Sequence, residues 1–427
     1  MTGLFEPLTF AHGPAMPNRF MLAPLTNWQS HDDGTLSDDE FNWLAMRAKG
    51  GFGHTMTCAA HVQAEGRGFP GQLAPFDDRH IPGLTRLADT IRAHGSRSSV
   101  QLYHGGMRSP AELIGMTPLC ASDNAEFNAR AMTTGETEAM IEAFIAAAVR
   151  AERAGFDGVE LHGAHGYLLC QFLSSEINQR TDRYGGDLDA RARPIREIIR
   201  GIRERCGPAF QLGLRLSPER FGMDLQEVRT LAQALMHEDQ IDYLDMSLWD
   251  AFKTADAPGF EDKSLMACFT ELDRGNVRLG VAGKIGRPAD ARACLDAGVD
   301  FVLLGRAAIL QHDFPARAAA NPDFEPVTLI SASPLVLVVP AASPINNLKE
   351  LIAWVTANQD KVSIGTGGAG TPAHVSALEF SGGGSVVDHL PWFYPLSQEC
   401  CAKDPLMEVR RNHSRRELIG QALKAWP

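Results

Sequence analysis

A short apolar run, an amphipathic helix, a glycine, then the next apolar run: this unit recurs through residues 18–306 and constrains the fold more than any other feature. The runs lie at 18–25 (NRFMLAPL), 54–62 (HTMTCAAHV), 98–104 (SSVQLYH), 158–164 (GVELHGA), 211–217 (QLGLRLS), 243–248 (YLDMSL), 278–283 (RLGVAG) and 301–306 (FVLLGR). Runs this continuous belong to strands buried on both faces, as in parallel sheets whose crossovers are helices. Eight of them, each trailed by a helix, predict an α/β fold of the (β/α)8 TIM-barrel type. The rival is an open doubly wound sheet. It normally has fewer strands and a glycine-rich turn after the first. Here the first strand is followed by Thr26-Asn27-Trp28-Gln29, with no glycine cradle.

The helices are legible by the same periodicity. Ser37-Asp38-Asp39-Glu40 reads as a capping box, with Glu40 at N3 reaching back to the cap. A long helix is expected over 135–154, stopped by Gly155, and others near 81–94, 195–206, 225–238, 263–274, 287–297 and 308–320.

Composition narrows the function. Lys and Arg total 40 against 52 Asp and Glu, a formal net charge of −12. A protein that reads phosphate backbone should lean basic, so no nucleic-acid partner is expected. No apolar run reaches the ~18 residues of a membrane-spanning helix. The opening Met1-Thr2-Gly3-Leu4-Phe5-Glu6-Pro7 lacks the basic and apolar regions of a signal peptide. A cytoplasmic protein with no membrane partner is expected. The 8 cysteines are scattered without a C-x-x-C pair, several within apolar patterns, as reduced structural thiols are.

A barrel keeps its chemistry at the C-terminal ends of its strands, and polar residues collect there. Pro24, Leu25 and Thr26 end strand one; Gln101 and His104 lie on strand three; strand four runs into His162, His165 and Tyr167. Arg215 sits inside the apolar strand five. A buried arginine costs several kcal/mol unless paired, so it needs an internal carboxylate or an anionic ligand. Gly283 closes strand seven, and Gly305 with Arg306 closes strand eight. Barrels often bind phosphate at those two ends through backbone N–H groups and one basic side chain, although glycine also ends strands for steric reasons. His162 and His165 admit three readings: core histidines, metal ligands completed by Glu160, or neutral donors to a substrate oxygen. Tyr167 adds a candidate proton donor.

The segment HGAHGYLLCQFLSSEINQRTDRYGGDLDARAR (162–193) closely resembles the signature of the old yellow enzyme family, the FMN-dependent ene-reductases. NRFMLAPLT (18–26), EGRG (65–68), QLYHGGMRS (101–109), RLSPERFG (215–222), RLGVAGKI (278–285) and VLLGRAAI (302–309) fall in family order, so the resemblance covers about residues 1–325. It implies FMN as cofactor, NADPH or NADH as hydride donor, and an enone-type small-molecule substrate. By motif position, Thr26 resembles the residue that hydrogen-bonds the flavin ring. Pro24, Leu25 and Ala59 resemble backbone contacts around that ring, Gln101 the amide at its pyrimidine edge, and Arg215 the cation beside N1. Gly283, Gly305 and Arg306 resemble the phosphate site. His162 and His165 resemble the clamp on the substrate carbonyl oxygen, and Tyr167 the proton donor. One departure is Thr57-Cys58-Ala59, where members often carry a carboxylate. Trp249, after strand six, is expected to line the mouth and restrict substrates, or else to pack the rim. Relatives usually have their own segment after strand eight, in some cases completing a dimer; its replacement here leaves a homo-oligomer open.

The pattern breaks after Glu325. Residues 334–380, with PLVLVVP, SPINNLKELIAW and GTGGAGTPAH, resemble part of the solute-binding proteins of tripartite tricarboxylate transporters. The organisation expected is a barrel over 1–325, a partial solute-binding fragment over 326–380, and an unassigned tail over 381–427 opened by the flexible SGGGS. Two alternative functions arise: carboxylate binding by the 334–380 fragment, or a metal-dependent barrel lyase using His162, His165 and Glu160.

Overall fold

The computed structural model describes residues 3–324 and two dipeptides, Ile364–Gly365 and Val386–Val387, which pair in parallel. The remaining expectations for 326–427 lie outside the described residues. The chain divides into two units after Thr328.

In the first unit, eight parallel strands close into a barrel. They are β1 (Phe20–Leu22), β2 (His54–His61), β3 (Arg97–Tyr103), β4 (Gly158–Gly163), β5 (Gln211–Leu216), β6 (Tyr243–Ser247), β7 (Arg278–Ala282) and β8 (Phe301–Leu304). Each pairs with the next, and β8 returns to β1 in the register Phe20–Val302. All eight expected runs become strands. They end one to three residues early, their last residues turning into the loops of the mouth.

In parallel strands, residues in register share a face, so the interior can be read as layers. One layer runs Gln101, Glu160, Gly213, Tyr243. The next runs His162, Arg215, Asp245, Gly280, Phe301. Large rings lie over glycines: a Cβ on Gly213 would come within 2.1 Å of Tyr243 Cζ, and one on Gly280 within 2.4 Å of the Phe301 ring. Gly213→Ala should therefore overpack the interior and lower stability by about 1–3 kcal/mol. Gly135→Ala, in a helix and with nothing within 4 Å of its added methyl, should gain up to about 1 kcal/mol. Urea unfolding of the two variants side by side checks both signs.

The helices that cover the barrel are α1 (Asp38–Lys49), α2 (Ile81–Ala93), α3 (Thr134–Arg153), α4 (Leu188–Arg205), α5 (Leu225–Glu238), α6 (Ala267–Thr270), α7 (Pro288–Asp296) and α8 (Phe314–Ala320). Four differ from expectation. At α1, Ser37 caps Glu40 N at 3.1 Å, but the Glu40 side chain does not close the box. It is buried instead, accepting from Asn27 Nδ2 at 3.0 Å and from Ser30 Oγ, and so fastens the loop after β1. A complete capping box does form between Thr133 and Glu136, at the start of α3. Helix α4 begins seven residues before 195, capped by Asp187, and runs through Pro194 rather than starting after it. The helix expected over 263–274 shrinks to the single turn α6, and that expected over 308–320 splits into Arg306–Leu310 and α8 around Gln311-His312-Asp313. No helix of the described residues is long and apolar enough to cross a membrane. Of the six described cysteines all are free, and five are buried.

Candidate active site at the barrel mouth

The end of β4 builds one wall. His162 lies on the strand, and His165 and Tyr167 come next in a tight turn, before the buried helical segment Leu168–Leu173. His165 adopts the left-handed region (φ 61°), next to Gly166 at φ 71°. Its backbone N–H donates to Ser217 Oγ at 3.0 Å, and its carbonyl accepts from Arg108 Nη1 at 3.3 Å. The turn folds three rings together: His162 and His165 are 5.0 Å apart between centroids, and His162 and Tyr167 are 5.2 Å apart. Tyr103 packs edge-on against Tyr167 at 4.6 Å.

Both histidines are held neutral. Burial lowers His162 well below the ordinary range, and the neighbouring His165 and Arg215 further oppose a positive charge on it. Burial, then Arg215 and Arg108, bring His165 to about 3. Each ring therefore has one N–H to give at neutral pH. His165 Nε2 lies 2.7 Å from Ser247 Oγ, while His162 Nδ1 is buried with no partner among the described residues.

The floor is ionic. Arg215 Nε is 3.1 Å from Asp245 Oδ2, an ion pair by distance in which neither atom is aligned for a hydrogen bond. Of the two anions the arginine could require, the internal carboxylate is thus present. Gln101 donates to Glu160 Oε1 at 2.7 Å. Burial raises the Glu160 and Asp245 carboxyls, and Asp245 raises Glu160 further. Glu160 faces this pair rather than the two histidines, and among the described residues no three His, Cys, Asp or Glu gather as metal ligands would. That removes the ligand set on which the metal-dependent lyase reading depends.

A cavity of about 940 Å³ opens above, between the ends of β1, β5, β6, β7 and β8. Of the residues singled out by sequence, Pro24, Leu25, His165, Arg215, Trp249, Gly283, Gly305 and Arg306 line it. His162 and Tyr167 adjoin it through the His165 ring. Thr26, Ala59 and Gln101 do not line it: Thr26 is exposed, Gln101 is buried, and the Ala59 carbonyl already accepts from Gln72 Nε2 at 2.6 Å. The two glycines differ. A Cβ on Gly283, at φ 153°, would strike the backbone of Trp249–Ala251 at 2.9–3.0 Å, so packing alone demands glycine. A Cβ on Gly305 would meet nothing closer than Leu25 Cδ2 at 3.4 Å and would project beside two lining residues, Ala23 and Leu25. Sequence reasoning missed Ser247, which no pattern marks, and Asp245, a charge mid-strand beside Arg215. It also missed Lys284 and Arg287, which line the same cavity as Arg306.

Residues 3–323 match the family described as NADH:flavin oxidoreductase / NADH oxidase, and residues 312–393 match the tripartite tricarboxylate transporter family receptor. The Bacillus subtilis protein named "Probable NADH-dependent flavin oxidoreductase YqiG" is 38% identical over 77% of this chain and 91% of its own length. The NADH:fumarate oxidoreductase of Klebsiella pneumoniae is 32% identical over 75% of this chain, which spans only 36% of that larger protein. Among solved structures, the old yellow enzyme homologue of Zymomonas mobilis superposes with a TM-score of 0.66 at 25% identity, over 76% of this chain and 94% of that one. Morphinone reductase gives 0.65 at 27% identity, over 76% and 92%. With three-quarters of its length matched by the family model, the chain belongs to the NADH:flavin oxidoreductase / NADH oxidase family.

Proposed function

We propose that the barrel is an FMN-dependent reductase of activated C=C bonds, working by the net reaction alkene + NAD(P)H + H⁺ → saturated product + NAD(P)⁺. The observation that carries this reading is the ring cluster: two neutral histidines and a tyrosine gathered beside a large cavity floored by the Arg215–Asp245 ion pair. The cavity fits the cofactor. Ala23, Leu25, Ala282 and Leu303 give it apolar surface, and Gly305 leaves a side-chain-sized gap that packing does not require. Arg306, with Lys284 and Arg287 lining the same cavity, would hold the phosphate, and Arg215 would stand beside the ring edge where charge develops.

When bound, FMN supplies the hydride for the β-carbon, having taken it from NADH or NADPH. The protein's own residues do the rest. His162 and His165 donate to the substrate carbonyl oxygen, where negative charge grows in the transition state; one lost donor of this kind costs about 10²–10³ in rate. Neutral rings suit this role, because a buried imidazolium would lose its proton first. Ser247 fixes the His165 ring at 2.7 Å. Tyr167 delivers a proton to the α-carbon.

Purified protein should be yellow, and NADH or NADPH should bleach it until an enone restores the colour. Colourless protein that takes up no added FMN would end this reading. Tyr167→Phe should still be bleached by the nicotinamide, while alkene reduction slows by about 10²-fold or more. Stopped-flow measurement of the two half-reactions separates them; equal losses in both would remove Tyr167 as the proton donor.

A further inference from the structure

We infer that the mouth selects unsaturated substrates bearing a carboxylate, recognised by Arg108 and Arg220. The inference rests on the reading of His162, His165 and Tyr167 as the reaction site. Arg108 comes after β3 and lays its guanidinium 5.4 Å from the Tyr167 ring centroid, while one nitrogen donates to the His165 carbonyl. Arg220 lies 4.7 Å from the ring centroid of Trp249, which lines the cavity. Both side chains are otherwise exposed. Stacking on an aromatic face fixes a guanidinium without neutralising it.

Neither arginine has a carboxylate within ion-pair distance among the described residues. Of the acids on the adjoining turns, Lys253 takes Glu219 and, at 2.6 Å, Asp256, while Glu176 lies against Gly222 without reaching ion-pair distance of Arg220. Deeper in the site, the Arg215 charge is matched by Asp245. Two cations without a direct carboxylate partner, Asp256 reaching Arg220 only at longer range, thus stand beside the site of a chain whose net charge is −12, and a cleft concentrates such a local field. The backbone holds them there at a cost. Arg220, Phe221 and Trp249 all sit at positive φ (69°, 55° and 62°), a region that non-glycine residues keep only where the surroundings enforce it. An antiparallel bridge from Arg220 to Met223 closes that turn. A planar guanidinium offers paired N–H groups that match a carboxylate. The phosphates of the nicotinamide donor present similar chemistry, so the test must tell the two apart.

The experiment compares trans-4-oxo-2-pentenoate with its methyl ester, the same enone with and without the charge, on the FMN-loaded full chain. The acid should be preferred in kcat/KM by about tenfold, and the preference should shrink as ionic strength rises. Arg108→Gln should collapse the acid-to-ester ratio, a quantity that cancels any general disturbance of Tyr167. Arg220→Gln, on a separate loop, should do the same and carries the test if the first variant fails to fold. An ester as good as the acid in the native protein, or a ratio that survives both substitutions, overturns the inference. So does a rise in KM for NADH with the ratio unchanged, which would assign the arginines to the dinucleotide. If a bleachable flavin is present and neither compound is reduced, the reaction-site reading itself has failed and takes the inference with it; reduction of the ester alone leaves that reading standing.

Discussion

Acidification from pH 6 to pH 5 should strip this barrel of much of its stability. His54, His61, His104 and His162 are buried at 0–4% exposure, and His165 is largely covered. Burial is the leading cause in every case: it lowers His54, His104 and His165 to about 3, His61 to about 4, and His162 well below its ordinary range. In the unfolded chain a histidine titrates near 6.5. Unfolding therefore takes up protons throughout this window. The contribution of each ring is intact above about pH 6.5 and is lost as pH falls toward the folded value, at about 1.4 kcal/mol per pH unit. Glu160 and Asp245 act in the opposite sense. Their raised carboxyls keep protons in the folded state, so their contribution is full in acid and is lost as pH rises through the raised range. With two of the five histidines offset, about 4 kcal/mol per pH unit remains, against a total of about 5–15 for a typical domain. Urea midpoints at pH 7.5, 6 and 5 measure this directly. Replacing His54, whose Nε2 is 2.7 Å from Ser99 Oγ, by Asn should flatten the profile. A midpoint unchanged from pH 7 to 5 would mean that the rings find water or protons while folded.

Arg215→Met should cost about 3–5 kcal/mol, the usual result of deleting one member of a buried ion pair. The arginine is 5% exposed, and Asp245 and Glu160 are both at 0%. Removing it leaves two buried carboxyls, in adjacent layers of the interior, with no cation between them. The partner substitution supplies the control: Arg215→Met with Asp245→Asn together should recover most of the loss, because no orphaned charge remains. Thermal or urea unfolding of the two single variants and the double one gives the coupling. If the double variant is as unstable as the first, packing around the guanidinium stem matters more than its charge.

The strands were legible because three independent signals agreed: continuous apolar runs, a glycine or polar stop, and a helical period between them. Where only one signal was present, reading failed. The helix expected near 195–206 begins instead at Leu188, where Asp187, a good cap, fixes the true start. Glu40 fits the capping-box spacing, but its carboxylate finds Asn27 and Ser30 inside the protein, a tertiary choice invisible in a four-residue pattern. At the site, Arg215 announced itself as a cation in an apolar strand. The same argument applies to Glu160 and Asp245, each a lone charge mid-strand, and the parallel register places Asp245 directly beside Arg215. Ser247 carried no such signal, since a serine ending a strand is ordinary. Its importance comes only from its distance to His165.

The seam between β1 and β8 sets a clock on synthesis. Arg19 Nη1 donates to the Asp300 carbonyl across 281 positions of sequence, and Phe20 finds Val302 beside it. Until β8 leaves the ribosome, β1 has one row of amides and carbonyls with nothing to bond. At about 5–20 residues per second that interval lasts roughly 15–60 s. Bare strand edges are templates for pairing with other chains. β1 limits the hazard by being only three residues long, too short a row to recruit a foreign strand firmly. The most severe folding defects should therefore arise from lesions in β7 and β8, which prolong the open stage, rather than from equally destabilising lesions in strands made early.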